Sequence, residues 1–258
     1  MNSLICKKNA IESNTFVLVF ERPFNKQELQ SLLRLENALK NDLPSFNEIN
    51  SINVRLEGGQ VTPSQEMIGV LLQCFKADGK PSIELKIEGN IIEIMCFSYD
   101  RWINVWGKAK QFLLEAIKSI DNDNKLIICV LKVVDKFLYD GDSKDYKVSD
   151  IFNQNTQLLT RNILSGEKTR LWHVFQGWFE EPEILNNLNI STLDSNGKTL
   201  TTIEHDIRRQ FQDPQIISDI KEKLDDIFSS LHEKNKTVIK SLLNEEQLKG
   251  IGLCNLPC

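Results

Sequence analysis

The chain has 258 residues, 41% hydrophobic and 26% charged, the balance of a globular protein long enough to bury a sizeable core without disulfide staples. Its net charge of −5, with both signs interspersed, lacks the basic excess from which a general nucleic-acid binder draws its affinity. No stretch reaches the apolar length that spans a bilayer, and residues 1 to 11 hold two lysines but no apolar h-region, so neither insertion nor secretion is expected.

Thr15 to Glu21, "TFVLVFE", is an apolar and β-branched run ending before Pro23, which predicts a strand. Asn25 with Glu28 forms a capping-box start, and Leu29, Leu32, Leu33 and Leu39 predict a helix to about Leu43. Strands are expected at Ser51 to Glu57, Ile68 to Ala77, Ser82 to Glu88 and Ile91 to Phe97, divided by "GG", "DGKP" and "GN" turns. Only Gly89 and Asn90 separate the last two, which predicts a tight hairpin.

"FSYDRWINVWGKAKQFLLEAIKSI", residues 97 to 120, carries Trp102, Val105, Trp106, Ala109, Phe112, Leu113, Ala116, Ile117 and Ile120 at helical spacing. Both tryptophans thus fall on the stripe that packs against a sheet, with Asp100 as the expected N-cap.

A second pass begins with a long strand over residues 125 to 140, then a short helix and loop over 147 to 165. A strand over 169 to 180 is expected to break at Gly177, and a hairpin over 188 to 211 turns at Asn196-Gly197. Asp213-Pro214 reads as N-cap and first residue of the last long helix. Its stripe, Ile216, Ile220, Leu224, Ile227, Phe228, Leu231, Val238 and Leu242, lapses at Lys234 and Asn235. That lapse suggests that the segment from Val238 to Leu253 docks on the first half or on another subunit. "NEEQLKGIG" closes the chain as a short capped helix.

Strand, helix, antiparallel strands and a long helix therefore occur twice. The expected fold class is α+β, with a β-α-β4-α unit over 1–122 and a β-α-β3-α unit over 123–258, joined as one globular body. Each is expected to be a helix-grip or TATA-binding-protein-like unit, a curved antiparallel sheet on a long helix.

Three motifs carry a family resemblance: Tyr99-x-x-Trp102 at the helix entry, "LKVVDKF" from Leu131 to Phe137, and the close "LHEKNKTVIKSLLNEEQLKGIG" containing His232. In these the chain resembles a sporadically distributed bacterial family of about 250 residues, known as conserved hypothetical proteins. The middle motif resembles that family's "LRYINRI" strand, with Lys132 for arginine and Asp135 for asparagine, and Val105 stands where such proteins place a second aromatic. The resemblance implies fold and bacterial origin, and the sporadic distribution suggests a defence or toxin–antitoxin-like setting.

The chain has no GxxxxGK[ST], no strand-linked GxGxxG, no HExxH and no GxSxG, which removes the commonest nucleotide-binding, zincin and hydrolase readings. Six cysteines are scattered, and Cys74, Cys96 and Cys129 lie in apolar runs where a reduced thiol acts as a small hydrophobe, so a cytoplasmic setting is expected. Cys254 and Cys258 would ligate a metal only with partners from elsewhere, and Asn255 stands where prenylation needs cysteine. "DNDN" at 121 to 124 lacks the glycine of a calcium loop and reads as a turn. Alternation along "EHD" sets Glu204 and Asp206 on one strand face and His205 on the other.

Trp172 and His173 must likewise face opposite ways, which makes Trp172, His173 and Trp178 the expected partner- or ligand-binding surface. Lys132, Lys136, Arg208 and Arg209 are the cations of an alternative nucleic-acid saddle. A metal- or histidine-dependent hydrolase or nuclease is the other alternative, although His232 has no visible nucleophile beside it. The leading expectation is a non-catalytic binding protein with a protein partner, a second copy or a small ligand. No cofactor, no metal, no catalytic residue and no membrane contact are expected.

Overall fold

The computed structural model describes residues 10–57, 60–139, 141–165, 171–195 and 197–253. The chain opens with β1 (Ile11–Phe20), α1 (Lys26–Leu32) and α2 (Leu35–Ala38), followed by β2 (Ser45–Glu57), β3 (Gln60–Phe75), β4 (Pro81–Glu88), β5 (Ile91–Cys96) and α3 (Trp102–Ile117). It continues with β6 (Leu126–Tyr139), a 3-10 turn at Val148–Asp150, α4 (Arg161–Leu164), β7 (Trp172–Glu181), β8 (Ile184–Ser195), β9 (Lys198–Gln215), α5 (Ile217–Leu242) and α6 (Glu245–Gly250). The fold class is α+β: among the described residues nine strands form one sheet in the order β2-β3-β4-β5-β1-β6-β9-β8-β7. β2, β3, β4 and β5 pair antiparallel in succession, as do β7, β8 and β9. Among the described residues no helix is long and apolar enough to cross a membrane.

Two compact units divide the chain. One comprises Thr15–Cys129 with Gln210–Asp225. Period-two burial builds its sheet: Phe16, Leu18 and Phe20 on β1, Val70 and Leu72 on β3, Leu85 and Ile87 on β4, and Ile92 and Ile94 on β5 are all buried. The α3 stripe supplies the complementary layer, with Val105, Trp106, Ala109, Phe112, Leu113, Ala116 and Ile117 buried. Trp102 and Trp106 stack on each other at 6.1 Å and lie 5.7 and 5.4 Å from the ring of Phe16. Each such side chain, fully buried, contributes about 1.5–3 kcal/mol. Glu28, wholly buried in the α1 capping box, accepts from the Arg22 guanidinium and from the backbone N–H groups of Asn25 and Asp121, which ties α1 to the turn after α3.

The other unit comprises the described residues of Met1–Asn14, Val130–Arg209 and Asp226–Cys258. Its core joins Phe137, Phe152, Leu188, Ile190 and Ile203 to Ile239, Leu242 and Leu243 of α5 and the residues after it. The β8–β9 hairpin closes with Ser195 opposite Lys198 and Gly197 at φ +78°; Asn196 lies outside the described residues.

Several sequence expectations are corrected. The helix expected from Asn25 to Leu43 is two short helices, because a turn at Leu33, whose N–H bonds to Gln30, rotates the second so that Leu32, Leu35, Leu39 and Leu43 are all buried. Arg101, not Asp100, is the N-cap of α3; the Asp100 carboxylate accepts from the Arg101 N–H and the Asn104 amide. Asp213-Pro214 does not open α5 but ends β9, where a residue without an N–H is tolerated. β7 runs through Gly177 unbroken, paired with Asn187. The segment from Val238 to Leu253 packs within its own unit: Asn244 Nδ2 donates to Ser149 O and Gln247 Nε2 to Asp150 O, and Phe152 bridges Leu243. The Cys254 and Cys258 pair lies outside the described residues.

Candidate partner-binding edge

Among the described residues β7 is the last strand of the sheet, and its sequence splits cleanly between two faces. Trp172, Val174, Gln176 and Trp178 are half-buried, whereas His173, Phe175, Gly177 and Phe179 are exposed. Trp172 packs edge-on to Phe152 at 5.6 Å, and Trp178 lies parallel to the His205 ring at 6.2 Å. The two tryptophans singled out in the sequence therefore brace the core side. The outward anchors are Phe175, 67% exposed, and Phe179, 60% exposed.

Beside them the outward residues of β8 and β9 form a shallow groove of about 300 Å³, lined by Phe175, Leu185, Asn187, Asn189, Glu204, Asp206 and Arg208. His173 Nε2 meets Asn189 Oδ1 at 2.5 Å, which orients that amide. Gly177 keeps the groove open, since a Cβ there would stand 2.9 Å from Asn187 Oδ1. Glu204 and Asp206 share this face and His205 faces inward, as alternation requires.

Of the predicted cations, Lys132, Lys136 and Arg208 lie on outward positions and Arg209 shares the parity of inward His205 and Ile207; each faces a carboxylate. Lys132 reaches Glu204 at 2.7 Å, Lys136 reaches Glu12 at 2.5 Å, Arg208 engages both oxygens of Asp206, and Arg209 lies 3.6 Å from Glu183. The hydrogen bond that Arg208 donates to Asp206 raises the guanidinium pKa above its ordinary value, against the opposing effect of burial.

On the inner face, buried His205 bonds through Nε2 to Asn186 Oδ1 and through Nδ1 to Asn235 Nδ2, both at 3.1 Å. The amide nitrogen of Asn235 can only donate, so Nδ1 is the acceptor and Nε2 carries the proton. Burial pushes this imidazole down to about 4 and keeps it neutral. His232 is pushed down to about 4 as well, by burial and then by Lys236. Lys234, the other half of the polar lapse in α5, reaches Glu180 and Glu181 at 2.8 and 2.7 Å and pins the far end of β7. Among the described residues no group of three or more His, Cys, Asp and Glu side chains is placed to hold a metal ion.

The outward role of Phe175 and Phe179 was encoded in the same alternation that separates Trp172 from His173. What the sequence lacks is which side the core covers. No protein-family model matches this chain, and no curated protein matches it in sequence.

Proposed function

We propose that this is a non-catalytic binding protein that takes an extended segment of a protein partner along the outer edge of β7 by strand addition. The observation that carries the reading is the position of β7 at the end of the sheet with two large phenyl rings turned outward. Edge strands are ordinarily defended by charges, proline or bulges. On β7 the register shift and the acidic pair Glu180 and Glu181 guard one end, and Trp172 to Phe179 contains no Asp, Glu, Lys or Arg. Main-chain hydrogen bonds would supply affinity and the groove a side-chain pocket, the division of labour of strand-addition sites.

The proposal includes the two-unit helix-grip form, supported by the buried stripe of α3 in one unit and by Ile239 and Leu242, from the part of α5 after Asp225, in the core of the other. It also includes kinship with the sporadic bacterial family and its defence setting, supported by the three sequence motifs. A nucleic-acid saddle has weaker support, because its four cations already face carboxylates.

Selection from a random-peptide library against the purified protein tests the reading. Selected peptides should slow amide exchange over residues 172–181 and lose at least tenfold in affinity to Phe175→Asp and Phe179→Asp, whose melting temperatures stay within a few degrees of wild type. Concentration-dependent dimers with the same protection would make a second copy the partner. Peptides that protect other segments, or binding indifferent to both substitutions, would overturn it.

A further inference from the structure

A larger cavity, of about 750 Å³, lies in the unit of residues 15–129 and 210–225, between the outward side of α3 and the ends of β4 and β5. Asn104, Gly107, Lys108 and Gln111 are spaced i, i+3, i+4, i+7, so one helix face lines it. Ile83, Cys96 and Val105 provide apolar lining, and Ser98 adds a hydroxyl.

Three features mark the cavity as more than a surface crease. Gly107 costs helix stability of about 0.5–1 kcal/mol relative to alanine, yet a Cβ there would meet nothing within 4 Å, so its absence only widens the opening. The Lys108 ammonium makes no hydrogen bond or ion pair with the described residues, and neither do the side chains of Gln111 and Ser98. The Asp100 carboxylate in the lining is already engaged by Asn104 and the Arg101 N–H, which leaves the Lys108 ammonium as the unengaged charge of the lining.

We infer that this cavity binds a small carboxylate with an apolar body, its charge on Lys108 and its tail against Ile83, Cys96 and Val105. A single ammonium with amide and hydroxyl donors beside it suits a monoanion. A phosphate would call for arginine or a cluster of backbone N–H groups, and Asp100 occupies the start of α3. Burial pushes the Cys96 thiol up to about 12, with the Lys108 charge acting in the opposite direction, so the thiol is neutral lining and no nucleophile. The cavity is of the size that takes a drug-sized ligand.

Titration calorimetry of the whole protein with octanoate, octanol, acetate and inorganic phosphate tests the inference. Octanoate should bind saturably at one site, at least tenfold more tightly than octanol, and acetate and phosphate should not bind measurably. Lys108→Gln should weaken octanoate about ten- to hundredfold, the value of a charge-assisted hydrogen bond, and leave octanol unchanged. Gly107→Phe should abolish both, with circular dichroism confirming that each variant is folded. Octanoate binding indifferent to Lys108→Gln, octanol binding as tight as octanoate, tight binding of phosphate, or no binding of octanoate by the wild type would each overturn it.

Discussion

Asn235 donates its side-chain amide to Nδ1 of His205 at 3.1 Å, so the apparent gap in the apolar stripe of α5 is a contact between the helix and β9. Both residues are buried, and removing one leaves the other with an unmet polar group. Asn235→Ala should lower unfolding free energy by about 1–3 kcal/mol. His205→Leu should cost a similar amount, and the double variant less than the sum, with a coupling energy of about 0.5–3 kcal/mol. Urea unfolding of the four proteins of the cycle measures it; strict additivity would show that the bond contributes nothing.

The pH dependence of stability follows from the same ring. His205 is pushed from 6.5 down to about 4 in the folded protein. Between those values the unfolded chain binds a proton that the native state refuses, so the stabilising effect is complete above pH ~6.5 and declines as pH falls toward 4. His232 acts in the same direction. Denaturant midpoints should fall between pH 7 and pH 5 in the wild type and fall less in His205→Gln. Parallel profiles for the two proteins would contradict the assignment.

Asp135 works in the opposite sense. Burial pushes this carboxyl from 3.8 up to about 7. The native state then keeps a proton that the unfolded chain has lost, so stability declines as pH rises from about 4 to 7. Asp135→Asn, nearly isosteric, should match the wild type near pH 4 and exceed it at pH 8 by up to about 4 kcal/mol. A loss of stability at both pH values would show that the carboxylate has a partner.

Trp106 combines packing with a polar tie, its Nε1 donating to Asp225 Oδ1 at 2.9 Å. Trp106→Ala should cost about 3–5 kcal/mol. Trp106→Phe keeps much of the ring area and removes the hydrogen bond, worth about 1 kcal/mol, and Asp225 retains Lys110. Unchanged melting temperatures in both variants would refute the core placement of this side chain.

What could be read from the sequence was what local periodicity encodes. The α3 stripe, the Gly89-Asn90 turn, the Ser195–Lys198 hairpin closure at Gly197 and the opposite facing of Glu204 and His205 are all settled within a few residues of chain. The misreadings arise where a distant partner decides. Asn235 looks like a break in a stripe because its acceptor is thirty positions away on β9. Asp213-Pro214 carries the chemistry of a helix start, yet the sheet extends through it. The tryptophans of β7 drew attention by size, but burial depends on what lies beneath the strand, and that left the phenylalanines to face outward.

Gly69 and Gly107 differ in a way that reaches into heredity. A Cβ on Gly69 would stand 2.0 Å from the backbone oxygen of Ile87, where β3 meets β4, whereas one on Gly107 would touch nothing within 4 Å. Every missense change of a glycine codon introduces a Cβ, so codon 69 has no benign neighbour and codon 107 has several that would improve the helix. Among descendants of this gene the sheet enforces glycine at 69, whereas the described structure leaves position 107 free to accept a side chain.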